Sequence, residues 1–247
     1  FTSRQLVALT TFSDLIEEVR NQVMSHAKQM GNDHRTLEEG GEGPIAYADA
    51  IATYLSFPIG RGADYWSSLA TWYPGNQQIG HTFTRQALPM VWDFAEANPL
   101  SNSSGSWISL WSTTLDAFNG IPSANFGEAH QSDARSVSNQ KFIVSTDPPY
   151  YDNIGYSDLS DYFYIWLRRS LHNIHKTLFS TVLTPKNQEL IASQHRHNGN
   201  KEKATQFFEV GLGDAFSRIH DSQNSNFPMT VYYAFKQSES GENLTDI

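Results

Sequence analysis

The 247-residue chain contains no cysteine, which excludes disulfide bonds and cysteine-ligated metal centres. Its nine histidines show no metal-binding spacing beyond His195-x-His197, a weak signal because it falls in a polar stretch. No run approaches the roughly 18 apolar residues that indicate a membrane-spanning helix. We therefore expect a protein without a metal or a membrane span, and the lack of cysteine fits a cytoplasmic location.

Positive charge is also scarce. The 17 lysines and arginines face 26 acidic residues, for a net charge of −9, which argues against non-specific coating of nucleic acid. Basic side chains nevertheless gather in residues 166–203, which carry seven basic and two acidic groups. Such a segment is either a solvated surface or a phosphate-contacting one, and the sequence leaves both interpretations open. The composition, 39% apolar and 13% aromatic, is that of a globular chain with a core.

Apolar periodicity predicts a chain that is helical first and mixed later. We divide it into a mainly helical insertion or target-recognition region, 1–120, and an α/β catalytic region, 121–247. The predicted helices cover 3–30, 45–72 with a break near Pro58, 83–97, 107–119, 158–171 and 204–220. The predicted strands cover 127–135, 142–144 and 230–235.

The stretch that organises the chain begins at the apolar run 142–144 and continues into Asp147-Pro148-Pro149-Tyr150. The two prolines cannot donate to a ladder, and each holds the residue before it extended. We therefore expect the acid and the aromatic at the carboxyl end of a strand, where open α/β sheets bind ligands. A second predicted strand ends at Asp133. The link between the two strands is too short for a helical crossover, so we expect neighbouring strands with both acids on one edge.

The sequence Asp147-Pro148-Pro149-Tyr150 matches the fourth motif of amino-methyltransferases, which move a methyl group from S-adenosylmethionine to an exocyclic amine. The amino nitrogen of adenine is a poor nucleophile because its lone pair is delocalised into the ring. An acceptor on Asp147 and the carbonyl of Pro148 can each take one N–H, which frees the lone pair without a metal. Tyr150 offers a face for a base that has left the helix stack. Four residues alone would equally fit a strand-ending turn.

The longer segment 147–171 resembles a family of predicted adenine-specific DNA methylases of bacteria and archaea, the DUF1156 class. Further segments that look like this family are 1–6, 92–99, 184–186 and 232–237. The resemblance implies a Rossmann-like, S-adenosylmethionine-dependent sheet whose helical insertion covers the first half of the chain. It implies methylation of adenine N6 in DNA. Cytosine N4 or an RNA target would need the same chemistry, and a non-catalytic nucleic-acid-binding subunit is a further alternative.

The resemblance also implies roles for individual residues. The catalytic residues are Asp147, Pro148, Pro149 and Tyr150, and Asp147 with Asp133 would contact the cofactor. Asp133 is alternatively a turn cap. The target pocket would be shaped by Tyr150, Tyr151, Asp152 and Asn153, and the candidate phosphate contacts are Arg168, Arg169 and Lys186. Because adjacent helical residues point in different directions, at most one of the two arginines is expected to face the substrate.

The chain departs from the family in lacking a glycine-rich cofactor loop. The pairs Gly60-Arg-Gly62 and Gly211-Leu-Gly213 fall inside helical patterns, and the cysteines of the family's zinc ribbon are missing. We therefore expect an incomplete methyltransferase sheet, from the C-terminal part of a methylase or a split subunit. The cofactor loop would then lie on an upstream region or on a partner chain.

Overall fold

A computed structural model describes residues 1–122, 127–136, 141–152 and 154–233. The chain forms two compact units. The first consists of Phe1–Glu128 and Ser157–Pro185, and the second of Ala129–Tyr156 and Lys186–Ile247. The predicted boundary at residue 120 places residues 157–185 in the second region, whereas in the structure they belong to the first unit.

The first unit is mostly helical. Its helices are α1 (Ser3–His26), which continues as a 3-10 turn (Ala27–Met30), then α2 (Pro44–Tyr65), α3 (Trp107–Asn119) and α4 (Tyr156–Leu171), whose first residue belongs to the second unit. Its two strands, β1 (Trp72–Tyr73) and β2 (Gln78–Ile79), pair antiparallel. Among the residues described, no helix in either unit is long and apolar enough to cross a membrane.

The predicted helices that begin near residues 3, 107, 158 and 204 are confirmed. α1 starts where it does because Thr2 and Gln5 form a reciprocal capping box. The predicted break near Pro58 is wrong, since α2 continues through this proline to Tyr65. Pro58 is fully buried, so packing in the core outweighs the helical hydrogen bond that a proline removes.

Two predicted elements are wrong. Residues 83–97 form no helix, because their polar groups are held by distant parts of the first unit. The Ala95 N–H donates to the Ala70 carbonyl at 2.9 Å, and the Glu96 carboxylate accepts from Thr2 and Arg4. The predicted strand 127–135 is also absent, and a 3-10 turn (Ala134–Ser136) ends this stretch.

The core of the first unit lies where α1, α2 and α4 meet. Leu9 of α1 is fully buried and Trp66, just after α2, is almost so. The Trp66 indole N–H donates to the Gly105 carbonyl at 2.6 Å, which satisfies its polar atom. The buried members are Leu9, Ile16, Ala52, Ile59, Ala63, Tyr65, Trp66, Ala70, Ile79, Leu110, Tyr164, Trp166, Leu171, Ile174 and Phe179. α4 therefore contributes its aromatic side chains to the same core as α1 and α2.

The second unit contains a parallel pair of strands, β3 (Ser145–Thr146) and β4 (Thr230–Val231), joined in sequence through α5 (Lys201–Ser222). A 3-10 turn (Gln194–His197) precedes α5. Parallel strands require a crossover connection, and the chain between β3 and β4 contains α4 and residues 157–185 of the first unit before it reaches α5. The predicted strand 142–144 is displaced to the next two residues, and Phe142 forms only an isolated bridge with Gln223. The Rossmann-like sheet stays a prediction, because the described residues contain one parallel pair.

Two ion pairs in the first unit differ in burial. The Asp49 side chain is 1% exposed, and it accepts from Arg20 at 2.7 Å and from the Leu37 backbone N–H at 3.1 Å. Asp14 and Arg169 form a pair of similar length, 2.8 Å, but their side chains are 60% and 45% exposed. The buried pair replaces lost hydration with direct bonds, so removing one partner leaves charge and N–H groups unsatisfied.

We predict that Asp49→Ala lowers the free energy of unfolding of the first unit by about 3–5 kcal/mol. The matched change Asp14→Ala should cost less than about 1 kcal/mol, because its pair is exposed to water. Urea unfolding followed by tryptophan fluorescence reports on this unit, since all six tryptophans lie in it. Equal losses of unfolding free energy in the two variants would show that burial does not make the Asp49 pair more important than the Asp14 pair.

Candidate active site

The Asp-Pro-Pro-Tyr motif lies directly after β3. The strand ends at Thr146, so Asp147 is the first residue beyond its carboxyl end, as the two prolines predict. Asp147 is exposed, whereas Pro148 is buried and Pro149 is half-buried. The prolines thus anchor the turn and leave the carboxylate accessible.

A hydrogen bond across the prolines fixes the carboxylate of Asp147. The Tyr150 hydroxyl donates to Oδ1 of Asp147 at 2.6 Å. This bond is the largest cause that raises the pKa of Tyr150 above its usual value, with loss of hydration and the negative charge of Asp147 as smaller causes. The hydroxyl therefore stays protonated at neutral pH. In the part of the chain that the structure describes, no other group bonds to Asp147, and Oδ2 remains as an acceptor.

Tyr151 closes the turn in the left-handed region, with φ of 44°, which is unfavourable for a residue with a side chain. Three contacts hold it there. Its hydroxyl lies 2.7 Å from the Thr205 hydroxyl, its ring meets Phe208 edge-on, and its carbonyl accepts from the Ala192 N–H at 3.0 Å. The Tyr151 side chain is thus engaged with α5, and its predicted contact with substrate stays a prediction.

An open cleft of about 460 Å³ lies at the motif, a volume typical of small-ligand sites. Its lining residues are Asp147, Pro148, Pro149, Tyr150, Tyr156 and Glu189. No sequence pattern indicated Tyr156 or Glu189 as a site residue. Arg196 donates to the Glu189 carboxylate at 2.7 Å and to the Lys186 carbonyl at 3.0 Å, so the backbone of Lys186 helps to position this wall. Lys186 itself is not among the lining residues described.

The end of β4 brings a further aromatic side chain to the motif. The Tyr232 N–H donates to the Thr146 carbonyl at 2.8 Å, and the ring of Tyr233 meets that of Tyr150 edge-on, with centroids 5.5 Å apart. The segments around 147 and 232, which the resemblance singled out separately, are therefore neighbours. Asn153, a predicted substrate contact, and residues 234–237 lie outside the described residues.

Asp133 is engaged in a local turn. Its carboxylate accepts from the Arg135 backbone N–H at 2.9 Å and from the guanidinium at 3.0 and 2.6 Å, so both oxygens are used. These bonds lower the pKa of Asp133. The expected placement after a strand beside β3 is wrong, because the short-range Asx-type turn takes its place. This geometry agrees with the alternative reading of a turn cap, and the cofactor contact stays a prediction.

S-adenosylmethionine stays a prediction. Both oxygens of Asp133 accept from Arg135, and both glycine pairs lie inside helices. In those helices Gly62 lies against the ring of Trp66 and Gly211 against Leu190, so these glycines serve packing. In the part of the chain that the structure describes, the motif therefore presents an exposed carboxylate, and neither glycine pair forms a cofactor loop.

The two predicted phosphate contacts on α4 differ, as adjacent helical positions require. Arg169 is exposed and bonds to both oxygens of Asp14 at 2.8 Å. Arg168 is half-buried, and its Nε has no partner among the described residues. Both arginines belong to the first unit. Thr184, from the segment 184–186 that the resemblance includes, also lies in the first unit, where its hydroxyl and its N–H donate to Asp161.

Comparisons with family models, with curated proteins and with solved structures found no match to this chain. The resemblance to adenine-specific DNA methylases therefore stays a prediction.

We predict that Asp147→Asn returns the pKa of Tyr150 toward its usual value, because the charged acceptor is lost. In the unchanged protein the bond persists below the raised pKa and is lost as the pH rises through it. Ring-carbon NMR of ¹³C-labelled tyrosines, followed against pH, gives both values. Tyr65, whose pKa is raised chiefly by burial, is the internal control and should not move. An unchanged Tyr150 in the variant would show that another group sets its pKa.

Proposed function

We propose that this chain supplies the amine-binding half of an amino-methyltransferase active site. The reaction is transfer of the methyl group of S-adenosylmethionine to the exocyclic amine of a DNA base, adenine N6. The observation that carries the proposal is the arrangement at Asp147, which holds an accessible carboxylate at the end of a parallel strand, in a cleft with aromatic walls.

The proposed role of Asp147 is to accept one N–H of the amine. Oδ1 is occupied by Tyr150, so Oδ2 is the acceptor, and the Pro148 carbonyl takes the second N–H. Two acceptors draw the nitrogen toward tetrahedral geometry and localise its lone pair. The same carboxylate stabilises the positive charge that develops on the amine. Because the prolines restrict the turn, little reorganisation is needed when the amine binds.

Tyr150 has two proposed roles. Its hydroxyl orients the carboxylate, and its ring, held edge-on by Tyr233, offers a face for a base swung out of the duplex. Stacking of a base on an aromatic side chain is worth about 1–3 kcal/mol. Both roles use the same ring position, so a change at Tyr150 should weaken binding of the base and the orientation of Asp147 together.

The methyl donor is assigned to another segment or a partner chain that carries a glycine-rich loop. The motivation is that Asp133 is engaged by Arg135 and that both glycine pairs lie inside helices. We place the activity in the cytoplasm, where DNA is the available substrate and where a chain without cysteine needs no oxidising compartment. Cytosine N4 and an RNA base would use the same acceptors, and the methylated product distinguishes them.

A second candidate function is a nucleic-acid-binding subunit without catalysis. The observations that favour it are the occupied Oδ1 of Asp147 and the engaged carboxylate of Asp133. The two candidates differ in whether the assembled protein binds S-adenosylmethionine, which calorimetry measures directly. Absence of binding, both by this chain alone and by this chain together with a segment or partner that carries a glycine-rich loop, would favour the second.

We predict that Asp147→Ala abolishes methyl transfer while the protein remains folded. Transfer from labelled S-adenosylmethionine to DNA is measured with the donor-binding segment present, and mass spectrometry of the nucleosides identifies the base. Asp221→Ala is the matched control, because this carboxylate is 69% exposed at the end of α5 and lies outside the cleft. Activity retained by the Asp147 variant would refute the assigned role.

A further inference from the structure

A second cleft, of about 610 Å³, lies in the first unit between α1 and the carboxyl end of α4. Its lining residues are Thr10, Asp14, Ile165, Trp166, Arg168, Arg169 and His172. Asp14 is the one acid of this set, against two arginines and an exposed histidine. The cleft is therefore cationic within a chain whose net charge is −9.

Arg168 is the cation of this cleft that lacks a counter-charge. It is half-buried, its Nε is shielded from solvent without a partner, and no described group forms an ion pair with its guanidinium. A guanidinium stays charged at any physiological pH, so partial burial without an anion is unfavourable. A half-buried guanidinium without a counter-charge, in a cleft that holds more cations than acids, indicates a site for an anion.

Arg169 is held differently. Its guanidinium forms a two-pronged pair with Asp14, with both distances at 2.8 Å. The carboxylate thus occupies the fork with which an arginine would bind a phosphate, and it adds a negative charge to the wall of the cleft. Asp14 therefore opposes any anion that Arg168 attracts.

We propose that this cleft binds a phosphodiester group of DNA, that Arg168 contacts the phosphate, and that Asp14 limits the affinity by holding Arg169. The choice of DNA rests on the proposed function, whereas the phosphate chemistry rests on the cleft alone. His172, one turn after Arg168, supplies a further donor at the edge. The sequence alone does not distinguish the two arginines, and the geometry points to Arg168 as the one that faces the substrate.

The proposal makes two opposite predictions for neighbouring residues. Each cation that neutralises a phosphate adds about 0.9 to the slope of log affinity against log salt for duplex DNA. Arg168→Gln should weaken binding to all sequences and reduce that slope by about 1. Asp14→Asn should tighten binding and increase the slope by about 1, because it removes a repelling charge and frees Arg169. In the double variant Asp14→Asn with Arg169→Gln, the added slope should be lost.

The experiment is fluorescence anisotropy of a labelled mixed-sequence duplex with the full chain, over a series of NaCl concentrations. Arg4→Gln is the matched control, since Arg4 is an exposed α1 arginine paired with Glu96 outside this cleft, and it should leave the slope unchanged. Circular dichroism confirms that each variant is folded. Competition by inorganic phosphate and by single-stranded RNA separates the sources of the phosphate.

Duplex binding by Arg168→Gln equal to that of the unchanged chain would overturn the proposal, as would weaker binding by Asp14→Asn. A chain that binds inorganic phosphate or RNA and no duplex would overturn the assignment to DNA. This experiment measures DNA binding and not methyl transfer, so the phosphate site and the amino-methyltransferase can fail independently of each other. If Arg168→Gln loses DNA binding and the assembled protein shows no methylation, the phosphate site is supported and the amino-methyltransferase proposal fails.

Discussion

The hydrogen bond from Tyr150 to Asp147 is the contact on which the candidate site depends. It joins the two ends of a turn whose middle is two prolines, so neither end can rotate without breaking it. The bond also gives the two oxygens of the carboxylate different partners, because Oδ1 accepts from Tyr150 and Oδ2 is left for a ligand. A phenol with a raised pKa makes this division stable across the neutral range. The site thus derives its geometry from four consecutive residues.

Elements with local causes were predictable from the sequence, and elements with distant causes were not. α1 begins at a capping box of Thr2 and Gln5, and Asp147 follows its strand because two prolines stop the ladder. The wrong helix at 83–97 shows the opposite case. Glu96 bonds to Thr2 and Arg4, more than ninety residues away in sequence, and no local pattern contains that information. Periodicity reports a preference, and these tertiary bonds outweigh it.

The acidic residues of the candidate site illustrate the same limit. Asp133 lies two residues before Arg135, a spacing at which a carboxylate readily bonds to the following backbone N–H. This spacing predicts a local turn, whereas the pattern of residues 127–135 predicts a strand, and the structure has the turn. Glu189 had no such signal, because only the fold of the second unit brings it to the cleft beside Asp147. The exposed carboxylate at the end of β3 was therefore predictable, and the presence of Glu189 in the same cleft was not.

The conformation of Tyr151 bears on whether the turn is more than the end of a strand. A left-handed φ at a residue with a side chain costs on the order of 1–3 kcal/mol, and here contacts with Thr205, Phe208 and Ala192 offset it. A turn that only reversed the chain would be more stable with glycine at this position. A tyrosine there ties the turn to α5, and α5 precedes β4, whose next residues bring Tyr233 to Tyr150. The contacts that hold this strained turn thus link the turn that carries the Asp147 carboxylate to α5, and the strand after α5 brings Tyr233 to Tyr150.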